Sequence, residues 1–244
     1  MVHDRHRQKL RKLQRAFGVE VQSDLRRALA GTAMLVMAVR PSSVAELLAD
    51  VRRSEAIRQG RRAMRIGVSL VAGVPISYIN SCMKGGFYWT RAMPSPACST
   101  GHGTTAVAFG RGFPAAAKVR VRSLFECMGP VLEVPESKFD AFTAVYSVSH
   151  GYHALAALAA AGVKCGLDRR TAEKAAAHAL ADGICSWRES AASLKELLEE
   201  AATPGGIAAE VIATADAAGY TRIVEKAVRA GVRRARGYGR DGSR

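Results

Sequence analysis

Met34-Leu35-Val36-Met37-Ala38-Val39-Arg40-Pro41-Ser42-Ser43 decides the class of fold. Residues 34–39 are a continuous apolar run of strand length, the pattern of a strand covered on both faces in a parallel sheet. Pro41 ends the run, and Ser42 and Ser43 can cap a helix expected over Val44–Arg53. Upstream, Leu10, Leu13 and Phe17 sit at helical spacing within residues 6–17, and Gly18 stops that helix. Residues 19–21 are a short strand, and Asp24 can cap a helix that Gly31 ends. Downstream, residues 65–71 form a second buried strand closed by Gly73 and Pro75, and residues 74–80 read as a short helix. Strands over 87–93 and 104–109, a helix over 115–128 and a strand over 131–134 continue the alternation. Strand and helix in this rhythm predict a parallel sheet with crossover helices.

After Pro135 the texture changes. Residues 137–161, 170–190, 193–201, 205–217 and 221–236 read as Ala-rich helices, with no strand pattern among them. The expected architecture is α/β followed by all-α. An incomplete Rossmann-like NAD(P)-binding domain covers residues 1–135, and an all-helical domain covers residues 136–244. Small residues along such helices let backbones approach closely, and their apolar faces commonly bury against a second copy.

The first domain is expected to be incomplete because no G-x-G-x-x-G occurs anywhere in the chain. A dinucleotide-binding domain opens with a strand, a glycine-rich turn and a helix start that stabilises the pyrophosphate. Here Met1-Val2-His3-Asp4-Arg5 reads as the end of the second strand. Supplying the central first strand takes roughly 30 residues, one strand–helix–strand unit. Two readings follow: a start that lies upstream, which is the expectation adopted, or a remnant unable to hold a dinucleotide properly.

The chain has 244 residues with 48% hydrophobic content, enough for a sizeable core. No apolar run is long enough to span a bilayer, and charge from the third residue onward argues against a secretory signal, so a cytoplasmic location is expected. Five scattered cysteines without C-x-x-C spacing predict neither a disulfide framework nor a structural metal, but small buried hydrophobes. The net charge of +15 is concentrated at the ends, notably at Arg5, Arg7, Lys9, Arg11, Lys12 and Arg15, and again at Arg229, Arg233, Arg234, Arg236 and Arg240. Without interleaved aromatics or a recognition-helix pattern, solvated helix faces explain it better than nucleic acid.

Ordered along the chain are Met37-Ala38-Val39-Arg40-Pro41, Val68-Ser69-Leu70-Val71-Ala72-Gly73-Val74-Pro75, Arg91-Ala92-Met93-Pro94, Asp140-Ala141-Phe142-Thr143-Ala144, Ala161-Gly162-Val163-Lys164-Cys165-Gly166-Leu167 and Thr203-Pro204-Gly205-Gly206. This set resembles the A-V-K-P, I-S-x-x-A-G-V, R-x-M-P-N, D-A-V-T-A, A-G-V-K-x-G-L and S/T-P-G-G segments of the pyrroline-5-carboxylate reductase family. The resemblance covers essentially the whole chain. It implies hydride transfer from NAD or NADP to the C=N bond of 1-pyrroline-5-carboxylate, giving L-proline. It also implies a helical dimerisation domain, an active site between the domains at the dimer interface, and a homodimer or larger homo-oligomer.

The resemblance implies a cofactor side at Asp4, Arg5, Ala38, Val39, Arg40, Pro41, Gly73 and Ser95. Asp4 suits a ribose 2′-OH and NAD, whereas Arg5 suits the 2′-phosphate of NADP, and the choice stays open. A substrate side is implied at Thr143, Ser147, Gly205, Gly206 and Ile207, with Thr203 as a candidate catalytic group, and His150, new at the family's proline, is a second candidate on its own chemistry. Thr203-Pro204-Gly205-Gly206 precedes a helix whose free N–H groups suit a carboxylate. By spacing alone it is an ordinary capped start with Pro204 in its first turn. His150 is either a proton donor or a histidine held by packing or solvent. No metal is expected.

Several positions depart from the family. Its S-G-S-G-P-A-Y is Tyr146-Ser147-Val148-Ser149-His150-Gly151-Tyr152 here, Ser95 replaces an Asn, and Leu25 replaces an Asn near the adenine side. The Thr held to hydrogen-bond the imine nitrogen is Ala208, and a lost transition-state hydrogen bond costs about 2–4 kcal/mol. A non-catalytic paralogue acting as a dimeric binding or regulatory protein is therefore the alternative. A hydroxyacid dehydrogenase fits less well, because residues 145–156 contain no Lys.

Overall fold

The computed structural model describes residues 1–54, 65–101 and 103–241, excluding the side chains of 239–241, so Arg240 of the basic tail lies outside the described side chains. The chain divides into two compact units, Met1–Ala144 with Gly231–Arg244, and Val145–Ala230.

The first unit runs β1 (Val2–His3), α1 (Arg7–Phe17), β2 (Val21–Gln22), α2 (Leu25–Leu29), β3 (Met34–Met37), α3 (Val44–Arg53) and β4 (Arg65–Ser69). It continues α4 (Ile76–Met83), β5 (Phe87–Pro94), β6 (Thr105–Phe109), α5 (Ala115–Glu126), β7 (Val131–Glu133) and α6 (Glu136–Val145). β1 and β2 pair in a separate two-stranded parallel sheet, and β3 to β7 form a five-stranded sheet in sequential order. Side chains alternate across a strand, so the larger sheet feeds two cores. Met37, Val44, Leu48, Val51, Ile79 and Trp89 pack on one face, and Ile66, Val68, Ala92, Val107, Val121 and Phe125 on the other. Helices thus cover both faces, which is the doubly wound, Rossmann-like arrangement.

The expectation of a purely parallel sheet needs one correction, because β5 and β6 are antiparallel. Their connection holds only a 3-10 turn over Pro96–Thr100. So short a link lacks the crossover that parallel strands need. Local geometry differs at a second point. Pro41–Ser43 is a 3-10 turn, and Ser43 makes no side-chain cap bond to α3.

The second unit contains α7 (Ser149–Lys164), α8 (Arg169–Glu189), α9 (Leu194–Ala201), α10 (Ile207–Ala217) and the first half of α11 (Tyr220–Asp241). The single helix expected over 137–161 is broken at 146–148, between α6 and α7. Asp168 caps α8 through the Thr171 N–H, and Ser193 with Glu196 forms a reciprocal capping box on α9. α7 meets α8 through small residues: a Cβ added to Gly162 would stand 3.2 Å from the Cβ of Ala172. The cysteines are not the buried set expected, since Cys127, Cys165 and Cys185 are exposed. Among the described residues, no helix is long and apolar enough to cross a membrane.

Candidate functional site

The carboxyl end of the first unit's sheets carries most of the cofactor-side candidates. Strand β1 delivers Asp4 and Arg5 to its end, and β3 delivers Ala38, Val39 and Arg40 to its own. Nδ1 of His6, beside them, lies close to the same Asp4 carboxylate that receives its N–H. The Arg5 guanidinium donates to Glu46 Oε2 at 3.4 Å, which ties the end of β1 to the first turn of α3. The two strand ends therefore face the same way. A cavity of about 1580 Å³ lies between them, lined among others by Asp4, Arg5, Leu25, Ala38, Val39 and Arg40. Pro41 adjoins this lining in sequence. Gly73 and Ser95 do not line the cavity, although both follow the carboxyl ends of neighbouring strands, β4 and β5.

Charges of both signs line the cavity, Arg5, Arg7, Lys9 and Arg40 against Asp4, Glu46 and Asp50. Partial burial works to raise the Asp4 pKa. The hydrogen bonds from the His6 N–H and ring, with Lys9 nearby, outweigh it and hold the carboxyl below its usual range. Asp4 is accordingly an anion already committed to its own helix start. Arg5 is held only by an exposed pair, a contact of little net strength, so its guanidinium can turn toward another anion.

Gly73 has a packing reason of its own. Its φ is +73°, and an added Cβ would stand 2.1 Å from the carbonyl oxygen of Ala235 in α11. Only glycine permits that approach and that backbone. Ser95 is nearly buried, and its hydroxyl accepts from the Ala97 N–H at 3.2 Å, opening the turn after β5.

Sequence reasoning quoted Arg91 only as part of a motif, yet it is the most heavily engaged charge in the sheet. It is 2% exposed, with Nη2 2.7 Å from Asp140 Oδ1, Nη1 3.4 Å from Glu136 Oε1, and its guanidinium 4.5 Å from the centre of the Phe139 ring. Glu136 Oε1 also accepts the Ile76 N–H at 3.1 Å, so α6 holds the start of α4 behind the Val71–Pro75 loop. The signal available was a lone Arg inside the apolar run Phe87–Pro94, a charge that must find partners once buried.

The substrate-side candidates fall on local turns. Thr143 Oγ1 donates to the Phe139 carbonyl at 2.8 Å, so that hydroxyl closes its own helix turn. Ser147 Oγ lies 2.7 Å from Ser149 Oγ, and the His150 N–H donates to the Ser147 carbonyl at 3.1 Å, together opening α7. At Thr203-Pro204-Gly205-Gly206, the Gly206 N–H donates to the Thr203 carbonyl at 2.8 Å, and Gly205 has a φ of +76°. The left-handed Gly205 moves the helix start on, so Gly206 rather than Thr203 is the N-cap of α10, and no side chain caps it. Ile207, at the first position, is 88% exposed. The first-turn N–H groups thus end a helix in an accessible place, with partial positive charge. Among the described residues, no group of three or more His, Cys, Asp and Glu is arranged to hold a metal ion.

Comparison with known proteins follows this division. The sequence profile for pyrroline-5-carboxylate reductase dimerisation matches residues 136–238. The pyrroline-5-carboxylate reductase of Mycobacterium tuberculosis is 37% identical over 175 residues, covering 71% of this chain and 57% of the relative, so the chain spans little more than half of that protein's length. The Mycobacterium leprae enzyme of the same name is 31% identical over 222 residues, covering 83% of this chain and 75% of that one. Among solved structures, Plasmodium falciparum pyrroline carboxylate reductase with NADP bound superposes with a TM-score of 0.79 at 20% identity, over 91% of this chain and 82% of that one. At that identity the likeness concerns the fold.

Proposed function

Because this chain belongs to the pyrroline-5-carboxylate reductase family, we propose that it serves NADH- or NADPH-dependent reduction of a cyclic imine, 1-pyrroline-5-carboxylate to L-proline. The observation that carries this reading is the cleft at the carboxyl ends of β1 and β3, lined by Arg5 and Arg40 among charges of both signs, where a doubly wound sheet takes its nucleotide. The groups present suit the adenosine side of a dinucleotide: Arg5 and Arg40 for phosphate, Asp4 for a ribose hydroxyl. No glycine-rich turn in the chain supplies the pyrophosphate cradle. When bound, the nicotinamide supplies the hydride.

What the chain's own residues do is bind and orient. Arg5 pairs a 2′-phosphate if the cofactor is NADP, and Asp4 accepts from a 2′-OH if it is NAD; both remain candidates. Ala38, Val39 and Pro41 shape the wall after β3, while Gly73 and Ser95 shape the loops after β4 and β5. In the helical unit, the N–H groups that begin at Gly206 and Ile207 take the substrate carboxylate, with Gly205 setting their direction and Thr203 contributing its hydroxyl. Thr143 and Ser147 provide further hydroxyls, and His150 is the titratable group offered for the proton that the imine nitrogen gains. We place the helical unit in a homodimer interface, supported by the match of residues 136–238 to the dimerisation family.

A second reading is favoured by one observation. Ala208 stands where the family's imine-binding Thr is expected, inside the uncapped turn of α10. A non-catalytic dimeric binding protein would have that form. Titration with NADH and NADPH, followed by nicotinamide absorbance with a panel of cyclic imino acids, separates the two. Turnover with at least one of them is expected. Cofactor binding without turnover on any would leave only the binding protein, and absence of both would reject the enzyme reading.

A further inference from the structure

Cations recur on α11 at Arg222, Lys226, Arg229, Arg233 and Arg236, alternately four and three residues apart. At 3.6 residues per turn, this spacing keeps all of them within about 80° of the helix circumference. Each is exposed. The packed side of the same helix lies opposite. An added Cβ at Gly231 would stand 3.3 Å from the Cβ of Ala144, and the Ala235 carbonyl closes on Gly73. Gly231 and Ala235 fall about 180–220° around the axis from Arg222. The seat of the helix therefore turns the cations outward in one row. At 1.5 Å per residue the row is about 21 Å long.

Little on the helix neutralises this row. Between Tyr220 and Tyr238 the sole acid is Glu225, which accepts from Arg229 Nε at 2.9 Å and Nη2 at 2.5 Å. Like charges three and four residues apart destabilise a helix, and an anionic partner relieves that cost. A second copy would bring the same cations and be repelled. A bilayer surface calls for large apolar side chains beside the cations, but the row is edged by Ala230, Val232 and Gly237, with Ile223 exposed at one end only. A single strand calls for aromatic rings on which bases stack, and none stands in the row. The sequence argued against nucleic acid because it lacks aromatics and a recognition-helix pattern. Those features serve bases, whereas phosphate contacts need only placed cations.

We propose that the outer face of α11 docks on the phosphate backbone of duplex DNA without reading its sequence. A duplex carries one charge per about 1.7 Å of its axis, so a rigid row of about 21 Å meets a phosphate for every cation. All but Lys226 are arginines, whose planar forks match phosphate oxygens. The net charge of +15 draws such a partner from a distance, and the row gives it a place to lie. Docking of this kind releases counterions, so it weakens steeply with salt. The proposal rests on the charge pattern of one helix and does not depend on the reductase reading.

The test is fluorescence anisotropy of a labelled DNA duplex of about 20 base pairs, titrated with the whole protein between about 50 and 200 mM salt. Contacts from the whole row give a slope of about −4.5 in log K against log salt, a loss of roughly 500-fold across that range. Arg222→Gln, Arg233→Gln and Arg236→Gln together should cut the loss to about tenfold, with the helical signal unchanged because Gln suits a helix. Lys226→Gln alone should lower the slope by about one unit, which keeps the test open if the triple variant misfolds. Arg11→Gln, Lys12→Gln and Arg15→Gln remove the same charge from exposed positions on α1 and should leave the slope unchanged. Equal flattening by both triple variants means that net charge alone acts, and overturns the proposal. A parent slope shallower than about −2 also overturns it. So does competition by poly-glutamate as effective as unlabelled duplex, or tighter binding to phosphatidylserine vesicles than to DNA. None of these outcomes involves nicotinamide or turnover.

Discussion

The sheet unit hides its large apolar side chains, whereas the helical unit displays them. In the first unit Leu48, Val51, Val68, Ile79, Val107, Val121 and Phe139 have no exposed surface. Among the described residues of the second, the buried side chains are alanines: Ala159, Ala172 and Ala176. Tyr152, Leu158, Ile184, Trp187, Leu198 and Val211 are left substantially exposed. Alanine faces allow close helix packing but remove little apolar area from water, at about 25 cal/mol per Å². The first unit has a core of its own. The second has the surface of half a core, which is the composition of an obligate interface.

The largest test of that contrast is the Arg91 cluster, a charge buried in the sheet unit. Asp140→Ala removes the nearer acidic partner of a guanidinium that is 2% exposed, leaving the longer ion pair to Glu136 and the face of the Phe139 ring. Breaking one side of a buried pair costs about 3–5 kcal/mol, whereas Arg91→Met removes the buried charge itself and should cost less. Urea denaturation of both variants measures the order. If Arg91→Met is the more damaging, the charge is more valuable than its burial indicates.

The next effect sharpens the other half. Leu194 and Leu198 lie one turn apart on α9, at 59% and 55% exposed. If they face a second copy, Leu198→Glu should weaken association by about 2 kcal/mol. Sedimentation would then show dissociation at concentrations where the parent stays dimeric, with the sheet unit's denaturation midpoint unchanged. A parent protein that is monomeric at micromolar concentration and folded in its helical unit breaks the comparison.

Much of this contrast was legible in the sequence, and the remainder was hidden for physical reasons. The run ending at Met37 announced a covered strand because a continuous apolar stretch has few other uses. Strand direction was not legible: the 105–109 strand looks the same either way, and the short link after Pro94 decided it. The break at 146–148 carries no Pro or Gly, so helical periodicity ran through it. At the site, Asp4, Arg5 and Ala38 to Arg40 line one cavity although β1 and β3 belong to separate sheets, because each group follows the carboxyl end of its strand. Arg91 finds its partners 45 and 49 residues away, a distance at which local pattern says nothing. Thr203 looked like a cap by spacing, but the left-handed Gly205 displaced the helix start beyond its reach.

The smallest effect lies in how a helix without a large buried core is held. α9 has no buried residue of its own, so its end bonds carry a larger share of its stability. Ser193 Oγ accepts from the Glu196 N–H at 3.2 Å, and Glu196 Oε2 accepts from the Ser193 N–H at 2.7 Å. The backbone N–H of Ser193 first, and then its hydroxyl, hold the Glu196 carboxyl below its usual range. A carboxylate depressed in the folded state contributes stability above its unfolded pKa and loses it as pH falls through the folded value. Asp168, depressed by its bonds to Thr171, follows the same sign at the start of α8. Ser193→Ala should cost about 1 kcal/mol at neutral pH, the usual loss on removing a serine cap. The penalty should shrink as the pH falls through the lowered Glu196 pKa. Helical signal followed against pH in parent and variant gives the answer. Two curves that run parallel down to acid pH would mean that the serine cap acts without the carboxylate, and that α9 is held by its neighbours instead.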